Sequence, residues 1–91
     1  MDLYTKDGKP LQVCEPFVYS RSGVPVGRIK GEKVFGPDGR YVGTIVGDRL
    51  VYRGSHGAPV GSSFAVAHRA GLAKAHCAGS VIWGDEPKIP D

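Results

Sequence analysis

Long hydrophobic runs are missing from this chain: none approaches the ~20 apolar residues that a membrane-spanning helix needs. Cysteine is scarce as well. Cys14 and Cys77 are the only two, too few for the disulfide framework of a small secreted fold. The charged stretch from Met1 to Pro10 lacks the apolar centre of a signal peptide, so the sequence points to the cytoplasm. Runs of basic charge are absent too. Twelve Lys and Arg against nine Asp and Glu give a formal charge of +3, and no two Lys or Arg are adjacent. Dedicated nucleic-acid binders cluster these residues, so nucleic acid is an unfavoured partner and weak anion binding a minor alternative.

Motifs that carry chemistry are equally sparse. The glycines fall between short apolar runs, not between a strand and a helix, so neither a P-loop nor a dinucleotide fingerprint is present. Gly61-Ser62-Ser63 lacks the following glycine of a nucleophile elbow. His56, His68, His76 and the two cysteines do not have the paired spacing of a zinc site. Cys14 and Cys77 read as small packed hydrophobes, with no base placed to activate either. The sequence therefore predicts no enzyme, no cofactor and no metal.

Glycine is what the chain has in excess, 14 residues beside 7 prolines, and that proportion suits a β meander with many tight turns. The glycines are also periodic. Leu3-Tyr4-Thr5-Lys6-Asp7-Gly8-Lys9-Pro10-Leu11 aligns with Val18-Tyr19-Ser20-Arg21-Ser22-Gly23-Val24-Pro25-Val26-Gly27. Val34-Phe35-Gly36-Pro37-Asp38-Gly39-Arg40-Tyr41-Val42-Gly43 and Val51-Tyr52-Arg53-Gly54-Ser55-His56-Gly57-Ala58-Pro59-Val60-Gly61 continue the series. Each unit has an aliphatic residue, an aromatic (Tyr4, Tyr19, Phe35, Tyr52), a polar turn with glycine, and a second aliphatic position. From the second unit on, a glycine follows (Gly27, Gly43, Gly61).

Each unit predicts a hairpin, with Val18 facing Val26 and Val34 facing Val42. Glu15-Pro16, Gly31-Glu32 and Gly47-Asp48 supply the turns between units. A two-residue turn at Gly47-Asp48 sets Gly43 opposite Tyr52, and a three-residue turn at Lys30-Gly31-Glu32 sets Gly27 opposite Phe35. Each aromatic ring then lies across the glycine of the preceding unit. Gln12 stands at the corresponding position opposite Tyr19.

The fold class that follows is mainly β, in one domain over residues 1–91. Four pseudo-symmetric hairpins of an up-and-down meander occupy 1–61, a helical segment 62–79, and a short final strand with a tail 80–91. The helix rests on Val66, Ala70, Ala73 and Cys77 at helical spacing, with Ser62 or Ser63 as N-cap and Gly79 as stop. Trp83 is expected to pack on the small residues of that helix and pin the last strand over it. Asp85-Glu86 reads as a solvated acidic tail, with binding of a cation or a basic partner as the lesser alternative.

The four aromatic–glycine units, a small C-terminal helix and the ending Trp83-Gly84-Asp85-Glu86-Pro87 resemble the 4-fold beta flower family across essentially the whole chain. That resemblance implies hairpins arranged about a pseudo-fourfold axis and implies no activity. The function that the residues favour is a non-catalytic module that binds a protein partner or assembles with itself. The alternative is a small-ligand binder or enzyme with a cleft at the pseudo-axis or beneath the helix, lined by Arg40, Tyr41, Arg53, His56 and His68. A deep pocket with convergent polar groups separates the second class from the first.

Overall fold

The computed structural model describes residues 2–54, 65, 67–71 and 75–89. Its strands are β1 (Leu3–Thr5), β2 (Pro10–Cys14), β3 (Phe17–Tyr19), β4 (Pro25–Lys30), β5 (Lys33–Phe35), β6 (Tyr41–Val46) and β7 (Arg49–Val51). They are rich in the β-branched and aromatic residues that a pleated, half-buried surface favours. Neighbours pair antiparallel in chain order, and β7 returns to β1 in a parallel pairing that closes a barrel. Leu3, Leu11, Val18, Val26, Val34 and Leu50 form the core cluster, flanked by Val13, Ile29, Val42, Ile45 and, from the tail, Ile89.

This architecture corrects the predicted meander of four hairpins. Three units form hairpins, β1–β2, β3–β4 and β5–β6. The fourth begins on β7, and Tyr52 then makes a single bridge with Asp85. Most of that unit, with His56 and Gly61, lies outside the described residues. The edge that β1 would otherwise expose is satisfied by the parallel seam. Tyr4 N–H donates to the Asp48 carbonyl at 2.8 Å and Lys6 N–H to that of Leu50 at 3.0 Å.

The registers also differ from expectation. Val18 pairs with Gly27 and Val34 with Gly43, because bulges beside Tyr19 and Phe35 insert one extra residue into β4 and β6. The Gly31-Glu32 turn has two residues and puts Arg28, not Gly27, opposite Phe35. Gln12 does face Tyr19. A Cβ on Gly43 would lie 2.9 Å from Leu50 Cδ1, and one on Gly27 would lie 2.7 Å from Val34 Cγ1 and press on the Phe35 carbonyl. Thus the strand glycines make room for aliphatic side chains of the next strand rather than for the aromatic rings.

The larger correction is in the C-terminal third. No helix and no final strand occur among the described residues, and 67–71 and 75–83 have no regular secondary structure. Three of their backbone N–H groups bond to the barrel instead of to residues four positions earlier. Arg69 N–H donates to the Gly23 carbonyl at 2.8 Å, Cys77 N–H to that of Gly8 at 2.9 Å, and Ser80 N–H to that of Lys6 at 2.8 Å. A repeat explains the pattern: Ala67-His68-Arg69-Ala70-Gly71 and Ala75-His76-Cys77-Ala78-Gly79 are the same motif eight residues apart. The third residue of each motif meets a turn glycine. The closing glycine faces the two residues that precede that turn glycine: a Cβ on Gly71 would lie 3.5 Å from the Arg21 oxygen, and one on Gly79 would lie 3.8 Å from the Lys6 oxygen. Residues 67–71 and 75–80 are therefore two pieces of a strap, each over one hairpin turn. No helix among the described residues is long and apolar enough to cross a membrane.

Gly8 and Gly23 are needed at those turns twice over. Their φ angles of 97° and 94° belong to glycine, and a Cβ on either would run into the carbonyl of Cys77 or Arg69. Gly31 also has a positive φ, 65°, but nothing lies within 4 Å of its missing Cβ. Gly31→Ala should therefore cost about 1–2 kcal/mol, the backbone penalty alone. Gly8→Ala should cost at least twice as much, and urea unfolding of the two variants compares them directly. Equal losses would mean that the strap yields freely.

Candidate functional site

The three hairpin turns share one hydrogen-bonding scheme. The residue after each aromatic accepts from the turn glycine: Thr5 from Gly8 at 3.0 Å, Ser20 from Gly23 at 3.0 Å and Gly36 from Gly39 at 2.8 Å. In the first two turns a hydroxyl also accepts the N–H four residues on, Thr5 Oγ1 from Lys9 and Ser20 Oγ from Val24, both at 3.1 Å. Gly36 has no hydroxyl. Asp38 replaces it, its Oδ1 accepting Arg40 N–H at 3.0 Å. The third turn thus carries an exposed carboxylate and, 3.8 Å from it, the Arg40 guanidinium nitrogen Nε.

Beside this turn passes the segment after Trp83. Tyr52 and Asp85 exchange two backbone hydrogen bonds of 2.8 Å each. Glu86 then reaches across the parallel seam to the first turn, where Oε2 accepts Thr5 Oγ1–H at 2.8 Å and Oε1 accepts Asp7 N–H at 2.9 Å. Pro87 is buried and Ile89 packs on the barrel core. The expected solvated tail is therefore tied down at three successive points. Between it and the third turn opens a cleft of about 640 Å³, lined among the described residues by Asp38, Arg40, Tyr41, Val42, Tyr52, Asp85, Glu86 and Lys88.

Two tyrosines give the cleft its aromatic wall. Their ring centroids are 5.4 Å apart at 42°, and Phe35 meets Tyr41 edge-on at 6.3 Å. The Tyr41 hydroxyl shares a 2.6 Å hydrogen bond with Thr44 Oγ1 and accepts one from Arg53 N–H at 3.1 Å. Both Tyr41 and Glu86 thus have their polar atoms engaged by the fold. Asp85 and Lys88 are exposed, and among the described residues neither side chain has a partner.

Of the residues singled out from sequence, Arg40 and Tyr41 line this cleft, and Arg53 adjoins it through the Tyr41 hydroxyl. His68 stands elsewhere, exposed on the strap, and His56 lies outside the described residues. Tyr52, expected only as a structural repeat position, is a wall of the cleft. Asp38 and Lys88 are not legible as site residues, and Asp85-Glu86 stands in the sequence only as the lesser alternative of a cation-binding tail. The repeat did carry a signal for Asp38, since Gly36 replaces the hydroxyl-bearing residue of the first two units. Among the described residues, no three His, Cys, Asp or Glu side chains are grouped so as to hold a metal.

Trp83 does not pack on a helix. Its ring is 60% exposed, with the Arg53 guanidinium 3.8 Å from the centroid and Arg53 Nε donating to the Trp83 carbonyl at 3.3 Å.

Two outcomes follow for this end of the barrel. Trp83→Ala should lower stability by about 1 kcal/mol or less, the scale of an exposed cation–π contact, and the wild-type ring should emit at long wavelength and be quenched readily by iodide. Glu86→Ala should remove two hydrogen bonds to a charged acceptor, at about 1.5–3 kcal/mol each. Hydrogen exchange should then show loss of protection at the Asp7 and Tyr52 amides. Unchanged protection there would mean that Pro87 and Ile89 hold the tail unaided.

The 4-fold beta flower family model matches residues 1–81. That span includes every strand of the barrel and both strap motifs and ends before Trp83. No curated protein and no solved structure matches the chain. With the family model covering far more than half of the sequence, the chain belongs to the 4-fold beta flower proteins.

Proposed function

We propose that this protein is a non-catalytic binding module whose ligand seats in the cleft between the third hairpin turn and the segment 84–88. The observation that carries this is the make-up of the cleft. Its volume of about 640 Å³ falls within the range of small-ligand and side-chain pockets. Its wall is aromatic and its rim charged, while the Tyr41 hydroxyl and the Glu86 carboxylate hold the fold together. Such a lining recognises by shape, stacking and charge, and offers no nucleophile held against a base.

A second reading rests on Val81, fully exposed, and on the exposed Trp83 ring beside it. Apolar side chains displayed together favour contact with another protein surface or self-assembly.

Amide-shift mapping with a library of water-soluble fragments separates the two. Binding at the cleft should move the amides of Arg40 to Val42, Tyr52 and Asp85 to Lys88 together. Shifts confined to Val81 to Trp83, or scattered without a common focus, would overturn the cleft as the ligand site.

A further inference from the structure

The repeat aromatics can be compared with one another, and two of them carry a guanidinium from elsewhere in the chain. Arg49 of β7 stands over Tyr4 at 5.9 Å from the ring centroid, and Arg69 of the strap over Tyr19 at 5.3 Å. Outside the repeat, Arg53 does the same for Trp83 at 3.8 Å. Tyr52 occupies the fourth repeat position but differs from its counterparts. Like Phe35 it contacts Tyr41 and has no cation over it among the described residues, but it is 38% exposed where Phe35 is 8% and Tyr19 is 6%.

The charges around Tyr52 suit a cation that the chain does not itself supply. Among the described residues the cleft lining holds three carboxylates, Asp38, Asp85 and Glu86, against two cations, Arg40 and Lys88, in a chain whose formal charge is +3. Arg40 is tied to Asp38 at 3.8 Å, and Glu86 is held by Thr5 and Asp7. Asp85 remains, fixed to Tyr52 by paired backbone hydrogen bonds of 2.8 Å, with its carboxylate unengaged among the described residues. Lys88 opposes a cation from the same rim, but it is exposed and its ammonium is well solvated.

Building on the cleft as the ligand site, we propose that it takes a guanidinium group, the side chain of an arginine in a partner polypeptide. The guanidinium stacks on Tyr52 and pairs with Asp85. The planar, weakly hydrated guanidinium stacks on rings and meets carboxylates with two parallel N–H donors, which an ammonium cannot do. The chain's own stacks over Tyr4, Tyr19 and Trp83 are all arginine. A polypeptide is the favoured source because the open cleft and its separate rim charges leave room for backbone on either side of one side chain.

The test uses N-acetyl-arginine amide, which carries one charge, titrated into the full chain and followed by amide shifts. Saturable shifts at Tyr52, Arg53 and Asp85 are expected. Tyr52→Leu or Asp85→Asn should each weaken binding about tenfold, and Tyr52→Phe should preserve it. Tyr52 is partly exposed, and Asp85 acts on the fold through its backbone, so these variants should retain the wild-type spectrum elsewhere. A tripeptide with central arginine that binds tighter than the amide supports a polypeptide source, whereas equal affinities would overturn that part and leave a small guanidinium compound. N-acetyl-norleucine amide or N-acetyl-lysine amide binding as tightly as the arginine amide would overturn guanidinium recognition while leaving the cleft a ligand site. If no probe and no fragment moved the cleft amides, both ideas would fall.

Discussion

A parallel pairing is the least expected contact in an otherwise antiparallel barrel, and most of the molecule's distal geometry depends on it. β1 and β7 run in the same direction, with Tyr4 beside Arg49 and Thr5 beside Leu50. That register sets the turn after β1 alongside the residues that follow β7. A single short segment can therefore reach both, with Asp85 bonded to Tyr52 and Glu86 bonded to Thr5 and Asp7. Arg49 reinforces the seam, its Nη1 donating to the Thr5 carbonyl at 3.4 Å and the Lys6 carbonyl at 3.3 Å while its guanidinium lies over Tyr4. An antiparallel fourth hairpin would have sent the chain away from this meeting point, and the cleft would have lost its second wall.

Pseudo-symmetry explains the scaffold, and its failures explain the site. Two turns are stabilised by a hydroxyl from Thr5 or Ser20 and covered by a strap motif. In the third, Gly36 cannot supply that hydroxyl, so Asp38 turns its carboxylate to the backbone and brings charge to the rim. Tyr4 and Tyr19 are screened by arginines, while Tyr52 faces the cleft. Each departure has a local chemical cause, and together they place aromatic surface and carboxylates on one side of a repeated frame. Repetition maintains the barrel, and asymmetry shapes the cleft that we propose as the ligand site.

What was legible in the sequence follows the range of the interactions involved. The turn glycines Gly8, Gly23 and Gly39, all with positive φ, and the pairing of Gln12 with Tyr19 depend on residues close in the chain. The bulges that pair Val18 with Gly27 and Val34 with Gly43 shift a register by one residue, and alternation alone does not reveal such a shift. The strap imitates a helix in composition. Ala70 and Cys77 fit a helical stripe, but the motif Ala-His-x-Ala-Gly recurs every eight residues, which no helical period divides evenly. Of the cleft, Arg40 and Tyr41 were visible because an aromatic and a cation beside a turn invite a binding role. Asp85 and Glu86 suggested at most a cation-binding tail, and their place in the cleft was hidden because their partners are residues some eighty positions earlier for Glu86 and some thirty for Asp85.

The position of the cleft also follows from the size of the barrel. Seven strands enclose less space than the eight that side chains can just fill, and the buried Leu3, Leu11, Val18, Val34 and Leu50 occupy that interior. The cleft lies instead at the rim, where the third turn stands away from the strap among the described residues. That placement has an energetic consequence. Asp85 belongs to the cleft, and its neighbour Glu86 holds the first turn, so a ligand engaging Asp85 acts on the same short segment that fastens the tail across the seam. Any ligand with higher affinity for the fastened arrangement must stabilise it by the difference in binding free energy, and the fastened arrangement must favour the ligand by the same amount. The tail is thereby both a wall of the site and part of what holds the barrel closed, which links occupancy of the cleft to the integrity of the seam.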